Sequence, residues 1–327
     1  MTSAQRGSGR LRRGQMAGPV DISVEFGGVR LGNPVVTASG TCGYADELGE
    51  FMDLRRLGGF VTKSITVGPR KGNATPRIVE TASGMLNAIG LANIGLERFI
   101  EEKVPVLAGL GIPVFVNVAG ETIEEYTAVV ERLAGEAAIA GFELNISCPN
   151  VKKGGIMFGT DAGSVKEITG AVKAACGGKM LMVKLTPSVT DISVTAGAAV
   201  EAGADALSLV NTFTAMVVDI EKRKPVLANR TGGLSGPAIR PIAVYLVSKV
   251  YREVAKEAGV PIMGMGGIMT ASDAIEFMLA GASAVGIGTA SFIGPDCAVR
   301  VVEGIEKYCD RRGVGNIKDL VGSLEAG

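Results

Sequence analysis

Eight short apolar runs recur along the chain, each followed by a polar or glycine-rich turn and then a helical pattern. They are Val35 to Ala38, Phe60 to Thr62, Val114 to Val118, Phe142 to Ile146, Leu181 to Leu185, Ala206 to Val210, Pro261 to Met265 and Ala284 to Ile287. Most lack a polar–apolar alternation. That is how strands read when both faces are buried, as in parallel sheets covered by helices. The helices between them are legible too. Tyr126, Val129, Val130, Leu133 and Ala137 follow the i, i+3, i+4, i+7 spacing of a buried helix face. Thr190 is placed to cap a helix ending near Gly203. Ser272 is placed to cap another, with Ile275, Met278 and Leu279 inward and Gly281 closing it. Strand alternating with helix in this way predicts a (β/α)8 TIM barrel. A doubly wound open sheet is the competing arrangement.

The flanking segments fit a barrel. From Asp21 to Leu31, Ile22, Val24 and Phe26 alternate with polar residues before Gly27-Gly28, then Val29 and Leu31 follow. This predicts a hairpin with a Gly-Gly turn, placed to cover the barrel's N-terminal end. Two long excursions, Val67 to Pro113 and Phe213 to Val260, leave room for extra active-site loops. No linker or internal repeat interrupts the pattern, so residues 19–327 are expected to form one domain. Residues 1–18, rich in Arg, Ser and Gly without apolar periodicity, are expected to be a flexible extension, and Met16 is an alternative start. The 47 glycines and 5% aromatic content suit a core of small and branched aliphatics in tight turns. The 33 basic residues match 33 acidic ones, which gives no global electrostatic case for nucleic acid. No secretory segment or apolar span of roughly 20 residues is present, which predicts a soluble cytoplasmic protein without a membrane anchor. None of the five cysteines forms a C-x-x-C pair, so no zinc, iron–sulfur or other metal site is expected.

In such a barrel, active-site groups come from the carboxyl ends of the strands. Read in order, those ends offer Ser39; Lys63 and Ser64; Asn117; Asn145 and Cys148; Lys184; Asn211 and Thr212; Gly266 and Gly267; Gly288 and Thr289. The fourth end, Asn145-Ile146-Ser147-Cys148-Pro149-Asn150, crowds polar groups into one turn. Pro149 removes a backbone donor and pushes Cys148 toward an extended conformation, which stops the strand. Gly154, Gly155, Gly159 and Gly163 follow, predicting a loop able to move. A thiol between two amides could serve as nucleophile or general base, or be a buried structural cysteine. The chain has no histidine, so acid–base work falls to Cys, Lys, Asp, Glu or Tyr, which strengthens the case for Cys148. Lys184 interrupts the apolar strand Leu181 to Leu185; a lysine aimed into a barrel must meet an anion or lose its charge. Lys63 repeats that logic. The glycines at the last two ends let backbone N–H groups approach an anion, at the usual phosphate site of this fold. Their spacing does not match the G-x-G-x-x-G of a nicotinamide-binding unit.

With these residues in hand, the chain resembles class 1 dihydroorotate dehydrogenases, most of all the catalytic subunit of the B type, which passes electrons to NAD+. The resemblance is carried by Asn145 to Asn150, by Asn87-Ala88-Ile89-Gly90-Leu91-Ala92-Asn93, by Thr62-Lys63-Ser64 and by the glycine ends, and runs from about Asp21 to the C-terminus. It implies an FMN-bearing barrel that oxidises dihydroorotate to orotate in pyrimidine synthesis. FMN would contact Ser39, Lys63, Ser64, Asn117, Asn145, Lys184, Val210, Gly236, Gly266, Gly267, Gly288 and Thr289. Substrate would contact Lys63, Asn87, Ala88, Ile89, Gly90, Leu91, Asn145, Asn211 and Thr212. Cys148 would take the C5 proton as a hydride leaves C6 for the flavin. The resemblance also implies a homodimer core within a heterotetramer, its partner subunit carrying FAD and an iron–sulfur cluster. Cys42, after Ser39-Gly40-Thr41, departs from the pattern and puts a second thiol near a strand end. Alternative readings are a fumarate-using class 1A enzyme and a tRNA dihydrouridine synthase, whose RNA needs a basic surface that the charge balance does not offer. A non-redox phosphate-binding barrel and a non-enzymatic binding module are more distant readings.

Overall fold

Each apolar run becomes a strand whose ends lie within one residue of the sequence reading. The computed structural model describes residues 20–147 and 158–325, so residues 1–18 of the expected extension lie outside it. Strands β1 (Val24–Phe26) and β2 (Val29–Leu31) form the hairpin, with Phe26 opposite Val29. Gly27 and Gly28 have φ of 57° and 83°, the pair of left-handed residues that a type I′ turn requires. A Cβ at Gly27 would meet Met180 and Asp205, which stand at the starts of two barrel strands. The hairpin therefore closes the barrel's N-terminal end, and it buries Phe26 and Leu31 there.

The chain then lays down β3 (Val35–Thr37) and β4 (Phe60–Val61), with β5 (Ile78–Thr81) and β6 (Gly84–Asn87) in the first excursion. Next come β7 (Val114–Val118), β8 (Gly141–Asn145), β9 (Met180–Lys184) and β10 (Ala206–Leu209). The second excursion contributes β11 (Phe213–Ala215), β12 (Val218–Asp219), β13 (Lys224–Pro225) and β14 (Gly232–Ser235). Finally β15 (Ile262–Met265) and β16 (Ala284–Ile287) complete the set. Eight parallel strands pair in the order β3-β16-β15-β10-β9-β8-β7-β4. The ring closes between β3 and β4, where Gly58 N–H donates to the Val35 carbonyl at 2.8 Å and Val36 bridges Gly59. The sheet is a barrel, and the open-sheet alternative is excluded.

Outward-facing Phe142 and Leu144 are fully buried in the same core as the helix Ile123–Ala134, which buries Tyr126, Val129, Val130 and Leu133. Each such side chain contributes roughly 1.5–3 kcal/mol of transfer free energy. That helix ends at Ala134, three residues short of Ala137, with Gly135 as its C-cap. Two caps differ from the sequence reading. Helix Ile192–Glu201 starts at Asp191, not Thr190, because the Asp191 carboxylate reaches the Ser193 N–H at 2.9 Å. Helix Ala271–Ala280 starts at Thr270, not Ser272, because Thr270 and Asp273 cap each other reciprocally. Gly281 ends it as expected, at φ 123°. Gly159 and Gly163 are not loop residues: Gly159 sits buried in the short helical turn Phe158–Thr160, and Gly163 lies in the first turn of helix Ala162–Ala175. Gly154 and Gly155 lie outside the described residues.

The two excursions do more than lengthen loops. They join as a four-stranded antiparallel sheet, β11-β14-β6-β5, which walls the carboxyl end of the barrel. Among the described residues, no helix is long and apolar enough to cross a membrane.

Candidate active site

The carboxyl ends of the barrel strands and the excursion sheet enclose a cavity of about 480 Å³. That is within the range of pockets which bury a cofactor or drug-sized ligand. Its wall carries five asparagines: Asn73, Asn87, Asn145, Asn211 and Asn229. Lys63 and Lys184 are its only charged side chains among the described residues, and no carboxylate faces it. The site is thus chemically one-sided: cationic, rich in amides and floored by glycine. It suits an anionic ligand with planar hydrogen-bonding edges.

Beneath the cavity floor, strand register stacks polar side chains where a barrel interior is usually aliphatic. Asn117 pairs with Glu143, and Asn145 with Lys184, which in turn lies beside Ser208. Ser64 Oγ donates to Asn117 Oδ1 at 2.5 Å, and Asn117 Nδ2 donates to Glu143 Oε2 at 2.5 Å. Ser208 Oγ donates to Glu143 Oε1 at 2.9 Å. Lys184 Nζ lies 3.9 Å from Glu143 Oε2 and donates to Ser39 Oγ at 3.0 Å. Lys184 therefore has a carboxylate below it and the cavity above. Each buried polar group in this set has a partner, as low-dielectric burial demands.

The amides nearer the mouth are also tied down. Asn145 Oδ1 accepts from Asn211 Nδ2 at 3.4 Å, and its carbonyl accepts from Tyr126 Oη at 2.8 Å. Asn211 Oδ1 accepts from the Thr212 N–H at 2.8 Å. Asn87, on β6, donates to the Gly233 carbonyl across the excursion sheet at 3.4 Å. Asn73 donates to the Ala88 carbonyl at 3.0 Å, which clamps the loop from Ala88 to Leu91 onto the wall. Lys63 is half-buried, and burial pulls it below the ordinary lysine value; Arg77 adds to that and Glu47 opposes it. At the far end, Thr289 Oγ1 donates to Ser235 Oγ at 2.8 Å beside Gly236, Gly266 and Gly267.

Nearly all the residues singled out from the sequence line this one cavity. They are Ser39, Lys63, Ser64, Asn87, Ala88, Ile89, Gly90, Leu91, Asn145, Lys184, Val210, Asn211, Thr212, Gly236, Gly266, Gly267, Gly288 and Thr289. Asn117 is the exception: it is fully buried one layer below, holding Ser64 to Glu143. Cys148 lies outside the described residues; strand β8 ends at Asn145, three residues before it. Cys42 is buried and is not part of the cavity wall. Its Sγ lies 3.5 Å from Thr41 Oγ1 and 3.9 Å from Ser291 Oγ, and burial pushes the thiol up. Sequence reasoning missed Glu143, although a carboxylate inside an apolar strand is a signal of the same kind as Lys184. It also missed Asn73 and Asn229, for which no local pattern in the sequence stands out.

A family model described as dihydroorotate dehydrogenase matches residues 21–309. The dihydroorotate dehydrogenase B (NAD(+)) catalytic subunit of Pelobacter propionicus is 54% identical over 305 residues, 93% of this chain and 99% of that one. Its counterpart in Geotalea uraniireducens is 52% identical over 307 residues, 94% of this chain and 99% of that one. Among solved structures, a DHODH from Eimeria tenella in complex with ferulenol matches with a TM-score of 0.76, covering 96% of this chain and 90% of that one. At 24% identity, that likeness is one of fold.

Proposed function

Since the chain belongs to the dihydroorotate dehydrogenase family, we propose that it oxidises dihydroorotate to orotate in pyrimidine synthesis, as the catalytic subunit of an NAD+-dependent enzyme. The observation that carries the reading is the cavity itself, whose only charged side chains among the described residues are two lysines among five asparagines. Dihydroorotate offers a carboxylate and amide edges, and asparagine can donate to and accept from such edges. The same cavity fits FMN. Its glycine end at Gly266, Gly267, Gly288 and Thr289 suits a phosphate, and Ser39, Ser64, Asn145, Lys184, Val210 and Gly236 would hold the remainder, with Asn117 acting through Ser64. FMN, when bound, supplies the acceptor for the hydride that leaves substrate C6.

The chain's own residues do the rest. Lys63, the loop from Asn87 to Leu91, Asn145, Asn211 and Thr212 bind and orient the substrate. Cys148 takes the proton from C5, since the chain has no histidine to do it. Lys184 presents its ammonium where negative charge builds up on reduction. The excursion sheet keeps water from the reacting faces. Electrons then leave through a partner subunit that carries FAD and an iron–sulfur cluster, two copies of each chain forming a cytoplasmic heterotetramer. The test is chemical analysis of the flavin in the purified chain. Denaturation should release FMN at about one per chain. FAD, or no flavin after reconstitution, refutes the reading. Co-purification from the native host should bring an FAD and iron–sulfur protein with it.

A further inference from the structure

We propose that Glu143 is a positioning residue for this chemistry: it is the buried counter-charge that aims Lys184 at the cavity and sets how strongly that lysine favours negative charge there. The inference rests on the FMN reading above. Glu143 is fully inaccessible, at the centre of the barrel, and does not line the cavity. A carboxylate at such a depth is unfavourable unless it is paired and hydrogen-bonded. Both conditions are met: Asn117 donates to Oε2, Ser208 donates to Oε1, and Lys184 Nζ lies 3.9 Å away. Neither Asn117 nor Ser208 lines the cavity, so among the described residues Lys184 is the one direct partner of Glu143 on the cavity wall, and Asn117 reaches that wall only through the neutral hydroxyl of Ser64. The lysine's other partner, Ser39 Oγ at 3.0 Å, is on the cavity wall.

The geometry fixes the sign. Lys184 attracts negative charge into the cavity, and Glu143 behind it cancels part of that field. Removing the carboxylate's charge while keeping its shape leaves the lysine uncompensated. Electrons added to the cavity's occupant are then held more tightly.

The experiment compares Glu143→Gln with wild type as FMN-loaded proteins, each equilibrated with a reference dye of known potential. The variant should show roughly a tenfold rise in the ratio of reduced to oxidised flavin, the scale of one unit charge removed within about 10 Å of the site in a protein interior. For a two-electron couple that rise is about 30 mV. Glu143→Asp draws the carboxylate back from Lys184 but keeps its charge, so it should shift the ratio in the same direction by less. It also serves as the test should the glutamine variant not fold. A merely structural role would lower the melting temperature and leave the ratio unmoved. A ratio within twofold of wild type, or a lower one, overturns the proposal. A wild-type chain that takes up no FMN is a different result: it sinks the cofactor reading itself.

Discussion

Replacing Gly267 by alanine should damage both stability and cofactor retention, by an amount that the backbone allows to be worked out. Gly267 has φ 76°, in the left-handed region. Alanine held there costs about 1–2 kcal/mol. Its Cβ would also lie 2.6 Å from the Gly236 carbonyl oxygen and 3.0 Å from the Arg240 Cβ. The nearest of these is backbone, so the loop has to shift, and such overpacking adds about 1–3 kcal/mol. Together these give about 2–5 kcal/mol, or, for a chain of 327 residues, a melting temperature lowered by roughly 3–7 °C. Gly236 and Gly267 both face the cavity, so the same shift should weaken FMN binding. The assay is thermal unfolding of the flavin-free protein, with flavin content measured after reconstitution. Gly170→Ala is the control: Gly170 lies inside helix Ala162–Ala175 with nothing within 4 Å of the added carbon. It should stabilise by about 0.5–1 kcal/mol. A Gly267→Ala protein that melts within about 1 °C of wild type and stays fully yellow would refute the account of this loop.

Three further outcomes follow from the site. Cys148→Ala should keep flavin and bind orotate, but its flavin reduction by dihydroorotate should fall by roughly 10²–10⁴-fold in stopped flow; Cys148→Ser should recover some activity only at higher pH, and Cys42→Ala, whose thiol is buried off the cavity wall, should stay near wild type. Burial, with Arg77 adding to it, holds Lys63 below its ordinary value of 10.5. In the window between the folded value and 10.5 the unfolded chain binds more protons, so the flavin-free protein should gain stability as pH rises there. Denaturant unfolding across that window should show the slope in wild type and its loss in Lys63→Met. The isolated chain, which has no G-x-G-x-x-G fingerprint, should reduce artificial acceptors readily and NAD+ poorly, as steady-state assays with each acceptor would show.

The barrel was legible because its strands are buried on both faces, which leaves short apolar runs such as Ala284 to Ile287, each bounded by turn residues and followed by a helical pattern. Helix starts were less legible. Thr190 and Ser272 are reasonable caps by type, but Asp191 and the Thr270–Asp273 pair win because their side chains reach the free N–H groups. The site was legible where strand ends carry polar groups, since the fold alone brings Ser39, Lys184 and Asn211 to one rim. Asn117 shows the limit of that reasoning. Its position in β7 puts it on the interior face, but its depth depends on barrel stagger, which sequence spacing does not encode. Glu143 was passed over because Phe142, Leu144 and Ile146 define the strand's outer face and draw the eye from what lies between them. Asn73 and Asn229 come from excursions whose antiparallel sheet, β11-β14-β6-β5, joins segments far apart in the chain. No local pattern announces such a pairing.

The most direct test of the central claim is anaerobic titration of the purified, FMN-loaded chain with dihydroorotate. The account predicts that the flavin absorbance bleaches and that about one orotate forms per flavin reduced, with no partner subunit present. A flavin that stays oxidised while dithionite still bleaches it would contradict the claim, since the cavity would then hold the cofactor without oxidising this substrate.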